Sequence, residues 1–306
     1  MSATLHDAAW HAKRARVIGG SEIAALFDCQ PPYAMSKFAL WHVKAGNTPP
    51  PPVDNERVRW GNRLERVIAE IAAAENGWTI EPGQHVADPT TPGLGATLDF
   101  TITNAQAGLG ALEIKNTDWL QHRRAWLNNE PPPHILLQLQ HQLAATGYKW
   151  GVVVALVGGN QLEQYPYEAK PNLIAEIRRR VTAFWRSIDD GVPPPVDASD
   201  SATAILKALY PDPVDEIADL TADNELPEIC AGILHSAEKR KAIEKAEAEF
   251  KNRLRDKLGA HLAADAQGFR IRVAVTAEKP DRVAQPGEVI KGRASSQRFT
   301  IKELTT

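Results

Sequence analysis

The feature that most constrains this chain is a set of charged residues on two neighbouring extended segments. Asp99 lies in the first segment, and Glu113 follows fourteen residues later, two positions before Lys115. Alternate side chains of a strand point to opposite faces, so Glu113 and Lys115 share one face while Leu112 and Ile114 point into a core. The sequence therefore predicts paired strands that bring two acids and a lysine together.

This residue set suits metal-assisted hydrolysis of a phosphodiester. Mg²⁺ prefers oxygen ligands and keeps several waters, so a site with few carboxylates leaves room for a substrate phosphate. The alternative is that an aspartate and a Glu-x-Lys triplet occur at this spacing by chance.

Size and composition exclude several classes of protein. With 306 residues, the chain is long enough for a large α/β domain with an appendage, and its net charge of −3 is not the basic signature of a nucleic-acid-binding domain. The only cysteines, Cys29 and Cys230, cannot form a disulfide framework or a cysteine-rich metal site. Because no export signal or apolar span is recognisable, we expect a cytoplasmic protein without a membrane partner.

The order of predicted elements indicates an α/β fold of mixed α+β type, with a central mixed sheet flanked by helices. We predict helices at 21–27, 36–44, 56–76, 134–146 and 171–189, strands at 79–87, 95–102, 109–115 and 151–157, and a helix or loop at 116–129.

A proline run at 193–195 predicts a boundary between a core domain, 1–192, and a helical appendage, 196–306. The appendage has a short helix at 202–210, a long charged helix at 226–262 and short strands at 269–275 and 299–302. A DNA clamp, an oligomer contact and a simple support are all open as its role.

Two helix positions are candidate site residues. Glu65 lies between Leu64 and Ile68 in the helix at 56–76 and is expected to look inward toward the strands, unless it is an ordinary surface acid. Ser21 is expected to cap the first helix, whose exposed amides would favour an anion, although a cap without a ligand is equally open.

Aromatic and basic residues alternate after Lys115. Trp119, Arg123 and Arg124, together with His122 and Trp126, have a composition suited to base stacking and phosphate contact. The alternative is a set of core tryptophans beside solvated arginines.

Four blocks, in this order, resemble the YqaJ-like viral recombinase family, which is related to phage lambda exonuclease within the PD-(D/E)xK nuclease superfamily. The blocks are 17–26 with Arg14 upstream, 60–65, 96–100 with 112–115, and 137–143. The resemblance implies a restriction-endonuclease-like core. One departure is Leu98, which stands where the superfamily motif has proline.

The resemblance also implies roles for the acidic cluster. Asp99, Glu113, the backbone carbonyl of Ile114 and Glu65 would bind one or two Mg²⁺ or Mn²⁺ ions. Lys115 would orient or deprotonate the attacking water.

Further roles follow from the same likeness. Gln138 would position the lysine or the substrate, with Gln140 and His141 as less certain neighbours. Arg14 and Ser21 match positions that hold a 5′-terminal phosphate.

The function so implied is a metal-dependent 5′-to-3′ exonuclease that acts on linear double-stranded DNA in phage-type recombination within a bacterial host. It would leave 3′ single-stranded ends for a single-strand annealing protein, and relatives suggest a homo-oligomeric ring around DNA. Two alternatives stay open: an endonuclease or iron–sulfur repair nuclease of the same superfamily, the latter disfavoured by the missing cysteines, and a non-catalytic DNA-binding module.

Overall fold

The computed structural model describes residues 16–51, 55–212 and 214–278, together with the backbone of three strands at 282–285, 288–290 and 296–303. The chain divides into two compact units between Val214 and Asp215. No helix in these ranges is both long enough and apolar enough to cross a membrane.

The first unit contains helices and strands in a mixed order. Its helices are α1 (Lys37–Lys44), α2 (Glu56–Asn76), α3 (Trp119–Ala125), α4 (Pro133–Thr146), α5 (Pro171–Asp189) and α6 (Asp200–Leu209). Its strands are β1 (Thr79–Pro82), β2 (His85–Ala87), β3 (Gly95–Thr97), β4 (Phe100–Asn104), β5 (Gly108–Thr117), β6 (Trp150–Val157) and β7 (Gln161–Glu168). Short 3-10 helices lie at Ile23–Phe27 and Leu127–Asn129.

A five-stranded mixed sheet forms the centre of this unit, in the order β1-β4-β5-β6-β7. β5 and β6 run parallel, whereas the other neighbouring pairs are antiparallel. α3 and α4 lie between β5 and β6 in the chain, which supplies the crossover that parallel neighbours require. The predicted fold class, a mixed sheet flanked by helices, is confirmed.

Each face of the sheet packs against a helix. On one face, Leu112 and Ile114 of β5 pack with Ile68 of α2 in one buried cluster. On the other face, Ala111 of β5 packs with Leu139 of α4 in the largest cluster. The predicted alternation of β5 is therefore correct, and the strand places its Glu113 side chain beneath α4.

Three predicted elements differ in detail. The strand expected at 95–102 is interrupted at Leu98 and Asp99, so β3 pairs with β2 while β4 joins the central sheet. The strand expected at 79–87 is divided between β1 and β2 in the same way. β7 has no counterpart among the predicted elements; it contains Pro166 and is an edge strand, where proline is tolerated.

The first predicted helix is shorter than expected, and Ser21 does not cap it. A five-residue 3-10 helix spans Ile23–Phe27, its N-cap position is Glu22, and no side chain caps it. The Glu22 carboxylate instead accepts a hydrogen bond from the Gly19 amide, at 2.8 Å. The predicted capping of this helix by Ser21 is therefore wrong, while phosphate binding by Ser21 stays a prediction.

Helix α6 belongs to the first unit, although we expected it in the appendage. Ala202 and Ile205 of α6 form a buried cluster with Phe38 and Ala39 of α1. The structural division accordingly falls after Val214 and not at the proline run.

The second unit consists of one long helix followed by strands. The helix, α7, spans Leu226–Leu258. β8 (Ala263–Ala266), β9 (Phe269–Thr276) and β12 (Ser296–Glu303) form a sheet in the order β12-β9-β8, and β10 (Arg282–Gln285) pairs with β11 (Glu288–Ile290).

Candidate active site

The register of the β4–β5 pair brings Asp99 and Glu113 together. Phe100 pairs with Leu112, so continuing the antiparallel register by one residue places Asp99 opposite Glu113. Asp99 lies at the bend before β4, and its Oδ2 accepts a hydrogen bond from the Ile114 amide at 2.8 Å. The fourteen-residue spacing is thus the spacing of facing positions in an antiparallel pair.

The Glu113 carboxylate is buried, with only 1% of the residue exposed, and it accepts hydrogen bonds from three side chains. Its Oε1 accepts from Lys115 Nζ at 2.5 Å and from Gln138 Nε2 at 2.7 Å. Its Oε2 accepts from Gln142 Nε2, also at 2.5 Å. Lys115 Nζ donates in addition to Gln138 Oε1 at 3.1 Å, which closes a ring of Glu113, Lys115 and Gln138.

The two glutamines come from one face of α4. Residues four apart on a helix lie on the same side, so Gln138 and Gln142 both reach Glu113. Gln138 is a predicted site residue, whereas Gln142 has no predicted role within the fourth block. The four-residue spacing from Gln138 is the signal that could have identified it.

Glu65 of α2 lies close enough to the two strand acids to interact with them electrostatically. Burial, and then the negative charges of Glu113 and Glu65, raise the pKa of Asp99 well above its usual range. Burial, and then Glu113, likewise raise the pKa of Glu65. The structure therefore gathers three mutually repelling acids, as the sequence predicted.

Lys115 is the cation of this cluster. Burial acts to lower the pKa of Lys115, but the charges of Glu113 and Asp99 outweigh burial, and the pKa is raised. Lys115 is therefore an ammonium group at neutral pH, which donates hydrogen bonds and does not accept a proton.

The donor set fits a hard divalent cation in chemistry. Burial, and after it the repulsion between the acids, raises the pKa values of Asp99 and Glu65. A bound cation relieves such repulsion, and carboxylates are the ligands that Mg²⁺ prefers. Among the described residues, however, no three His, Cys, Asp or Glu side chains are arranged as a ready metal-binding group. Because Glu113 is bound by Lys115 and two glutamines, a cation would have to compete with them for its oxygens.

A cavity opens beside Lys115. Its volume is about 410 Å³, and its lining includes Ser21, Tyr33, Lys115, His134 and Gln138. Burial, followed by the nearby Lys115 charge, lowers the pKa of His134, so the imidazole facing this space is neutral at neutral pH. The ammonium of Lys115 can thus meet a ligand that enters from solvent.

Two predicted phosphate-binding residues have different outcomes. Ser21 is exposed and lines this cavity, although it is not a helix cap. Arg14 lies outside the described residues, so its predicted role stays a prediction.

The structure does not bring Gln140 and His141 to the acidic cluster. The Gln140 side chain donates to the carbonyl of Glu168 and accepts from the amide of Lys170, both at 2.8 Å. His141 is fully buried, and its Nε2 lies 2.9 Å from the carbonyl oxygen of Gly95. Successive helix residues are rotated by about 100°, so Gln140, two positions after Gln138, lies on the other side of α4. His141, three positions after Gln138, lies instead against the backbone carbonyl groups of Ile18 and Gly95.

The aromatic and basic segment is split between core and solvent. Trp119 of α3 is 53% exposed, and the neighbouring Arg123 and Arg124 are exposed as well. His122 and Trp126 are buried. The buried His122 and Trp126 agree with the core interpretation, whereas DNA contact by the exposed Trp119, Arg123 and Arg124 stays a prediction.

Comparison with known proteins supports the resemblance seen in the sequence. A model of the YqaJ-like viral recombinase domain matches residues 9–149. No curated protein matches the chain.

Solved structures share the fold. An alkaline exonuclease from Laribacter hongkongensis, LHK-Exo, is 23% identical, with a TM-score of 0.51, over 60% of this chain and 94% of that one. LHK-Exo in complex with dAMP is 24% identical, with a TM-score of 0.52 over the same shares of the two chains. At this level of identity the likeness shows a common fold. The chain is thus similar to the YqaJ-like viral recombinase domain over residues 9–149 and shares its fold with this alkaline exonuclease.

Proposed function

We propose that this protein is a metal-dependent exonuclease that digests linear double-stranded DNA in phage-type homologous recombination. The observation that carries the proposal is the convergence of Asp99, Glu113 and Lys115 beside an open cavity. The similarity to the recombinase domain and the fold shared with an alkaline exonuclease support the same activity.

The cation, one or two ions of Mg²⁺ or Mn²⁺, would be held by Asp99, Glu113 and the carbonyl of Ile114, with help from Glu65. When bound, it would act as a Lewis acid that lowers the pKa of water and offsets the charge on the scissile phosphate. Lys115, which stays protonated, would donate a hydrogen bond to the attacking water or to a phosphate oxygen.

Gln138 supports this arrangement from α4. Its amide oxygen accepts from Lys115 and its amide nitrogen donates to Glu113, so one side chain sets the position of both charged groups. Loss of this amide would let the ammonium group and the carboxylate move independently.

We further propose that the DNA end enters through the cavity lined by Ser21, with Arg14 on the 5′-phosphate and a 5′-to-3′ direction of digestion. Trp119, Arg123 and Arg124 would contact the DNA outside the cavity. The 3′ single-stranded product would pass to an annealing protein, and a ring of identical subunits would keep the enzyme on its substrate.

We place the reaction in the cytoplasm of a bacterial host. Both cysteines, Cys29 and Cys230, are free thiols, which agrees with a reducing compartment.

The central test compares the wild type with Asp99→Ala on 5′-phosphorylated linear duplex, in Mg²⁺ and in EDTA. We expect digestion only by the wild type in Mg²⁺. Asp212→Ala, which removes an exposed aspartate of the same unit, is the matched control and should digest at the wild-type rate. Equal digestion by Asp99→Ala, or digestion that EDTA does not affect, would remove the proposed site.

Two substrates test the finer claims. A closed circular duplex has no ends, so its degradation would show an endonuclease. Arg14→Ala should reduce the preference for 5′-phosphorylated over 5′-hydroxyl ends, and an unchanged preference would exclude Arg14 from end recognition.

A further inference from the structure

Gln142 is a buried side chain whose only hydrogen bond in the described part of the chain goes to the acidic cluster. It is 0% exposed, and its Nε2 donates to Glu113 Oε2 at 2.5 Å. Because a carboxylate only accepts, this contact also fixes which end of the amide faces Glu113.

The other end of the same amide has no partner. Gln142 Oε1 is buried and accepts no hydrogen bond from any described residue. A buried acceptor without a donor lowers stability, so this end of the amide contributes nothing favourable to the fold. The side chain is therefore better explained by what it does to Glu113 than by its contribution to packing.

We propose that Gln142 is a positioning residue for Glu113. Its amide binds Oε2 from within the fold and thereby turns Oε1 toward Lys115, Gln138 and a metal ion. This inference rests on the proposed function, because it assigns Glu113 to a cation, and it adds a residue for which neither the family resemblance nor its motifs provide a role.

Gln140 provides a matched control on the same helix. It has the same chemistry and is also buried, at 3% exposed, but both ends of its amide bind backbone groups away from the acids. Replacement of either glutamine by methionine removes the amide and keeps the length of the side chain. The two variants therefore separate an effect on Glu113 from a general loosening of α4.

The experiment measures two quantities on metal-free protein without DNA: the dissociation constant for Mn²⁺ by calorimetry, and the Tm in EDTA. We expect Gln142→Met to weaken Mn²⁺ binding by about 10- to 100-fold, as for other residues that support a metal ligand. Its Tm should also fall, because the buried Oε2 of Glu113 loses its donor, so the Mn²⁺ affinity is the quantity that separates the two variants. Gln140→Met should lower the Tm and leave Mn²⁺ binding unchanged.

Several outcomes would overturn the inference. Wild-type Mn²⁺ affinity in Gln142→Met would do so, as would equal losses of affinity in both variants. If Gln142→Met does not fold, Gln142→Asn takes its place, since it keeps an amide but withdraws it from Glu113 by one methylene. The same loss of Mn²⁺ affinity is expected there, and wild-type affinity would again refute the role.

The two claims can fail separately. If the wild type binds Mn²⁺ but digests no DNA, the proposed nuclease fails, while the ratio of Mn²⁺ affinities still decides the role of Gln142. If the wild type digests DNA and Gln142→Met binds Mn²⁺ normally, only the positioning role fails. A wild type that binds no Mn²⁺ overturns both.

Discussion

Replacement of Asp99 by asparagine should make the metal-free protein more stable while abolishing its activity. Asparagine keeps an oxygen that can accept from the Ile114 amide, so the local hydrogen bond is retained. The substitution removes one negative charge from a cluster in which burial, and then the charges of Glu113 and Glu65, raise the pKa of that carboxyl. Because the fold disfavours the ionised form of Asp99, this residue lowers the stability of the folded protein, as active-site residues often do.

The sign of the pH dependence follows from that raised pKa. Between the usual aspartate value of about 4 and the raised value, the native state holds a proton that the unfolded chain has lost. Wild-type stability therefore falls as the pH rises through this window, and the full penalty is present above it. Asp99→Asn does not have this penalty at any pH.

We expect a gain of about 1–2 kcal/mol at pH 8, the usual size of a single stabilising substitution. For a unit of this size, that corresponds to a rise in Tm of roughly 2–8 °C. Calorimetry in EDTA at pH 8 and pH 5 measures it, and the gain should shrink at pH 5 because the wild-type carboxyl is then more often protonated.

Asp88→Asn is a control with the opposite sign. Burial alone would raise the pKa of Asp88, but hydrogen bonds from Thr90 and Arg178 and the Arg178 charge lower it, so the native state favours the ionised form. Asp88→Asn should therefore lower the Tm at pH 8. If Asp99→Asn also lowers the Tm, or if its gain is the same at both pH values, the repulsion among the acids is not what the structure indicates.

Three further predictions concern the ion and the core. Millimolar Mg²⁺ should raise the Tm of the wild type and leave the Tm of Asp99→Asn unchanged. A ligand that binds only the native state adds RT ln(1 + [L]/Kd) to the free energy of unfolding. Equal shifts of Tm in the two proteins would contradict this prediction. Leu139→Ala should cost about 2–5 kcal/mol by urea unfolding, because Leu139 is 0% exposed between α4 and the sheet, and a loss below about 1 kcal/mol would contradict that packing. Gly93→Ala should lower the urea midpoint followed by tryptophan fluorescence, since Gly93 has φ of 80° and an added Cβ would lie 2.2 Å from Trp185 Nε1; an unchanged midpoint would show that Trp185 can move aside.

Sequence patterns were most reliable where local geometry alone decides the outcome. On β5 the alternation of apolar and charged residues determines that Glu113 and Lys115 share a face, whatever the strand packs against. The spacing from Asp99 to Glu113 belongs to two facing positions of an antiparallel pair, and the observed register agrees with it. The interruption of the strand at Asp99 was missed, because nothing local distinguishes a bend there from a continuous strand.

Helix α4 shows where sequence patterns stop being informative. From Leu139 to Ala145 every residue of α4 is buried, polar ones included, so the helix lacks the contrast between a polar and an apolar side that normally reveals its orientation. The four-residue spacing groups Gln142 with Gln138, but nothing local indicates which side of the helix faces Glu113. Only packing against the sheet on one side and α5 on the other decides which glutamines reach Glu113.

By itself, the sequence determined the mixed fold, the family resemblance and the strand face that carries Glu113 and Lys115, because these depend on residue order and on the two-residue period of a strand. Only the tertiary structure decided that Gln142 joins the site, that Gln140 and His141 leave it, and that Ser21 lines a cavity without capping a helix. Those outcomes depend on contacts between segments far apart in the chain, and no local periodicity encodes such contacts.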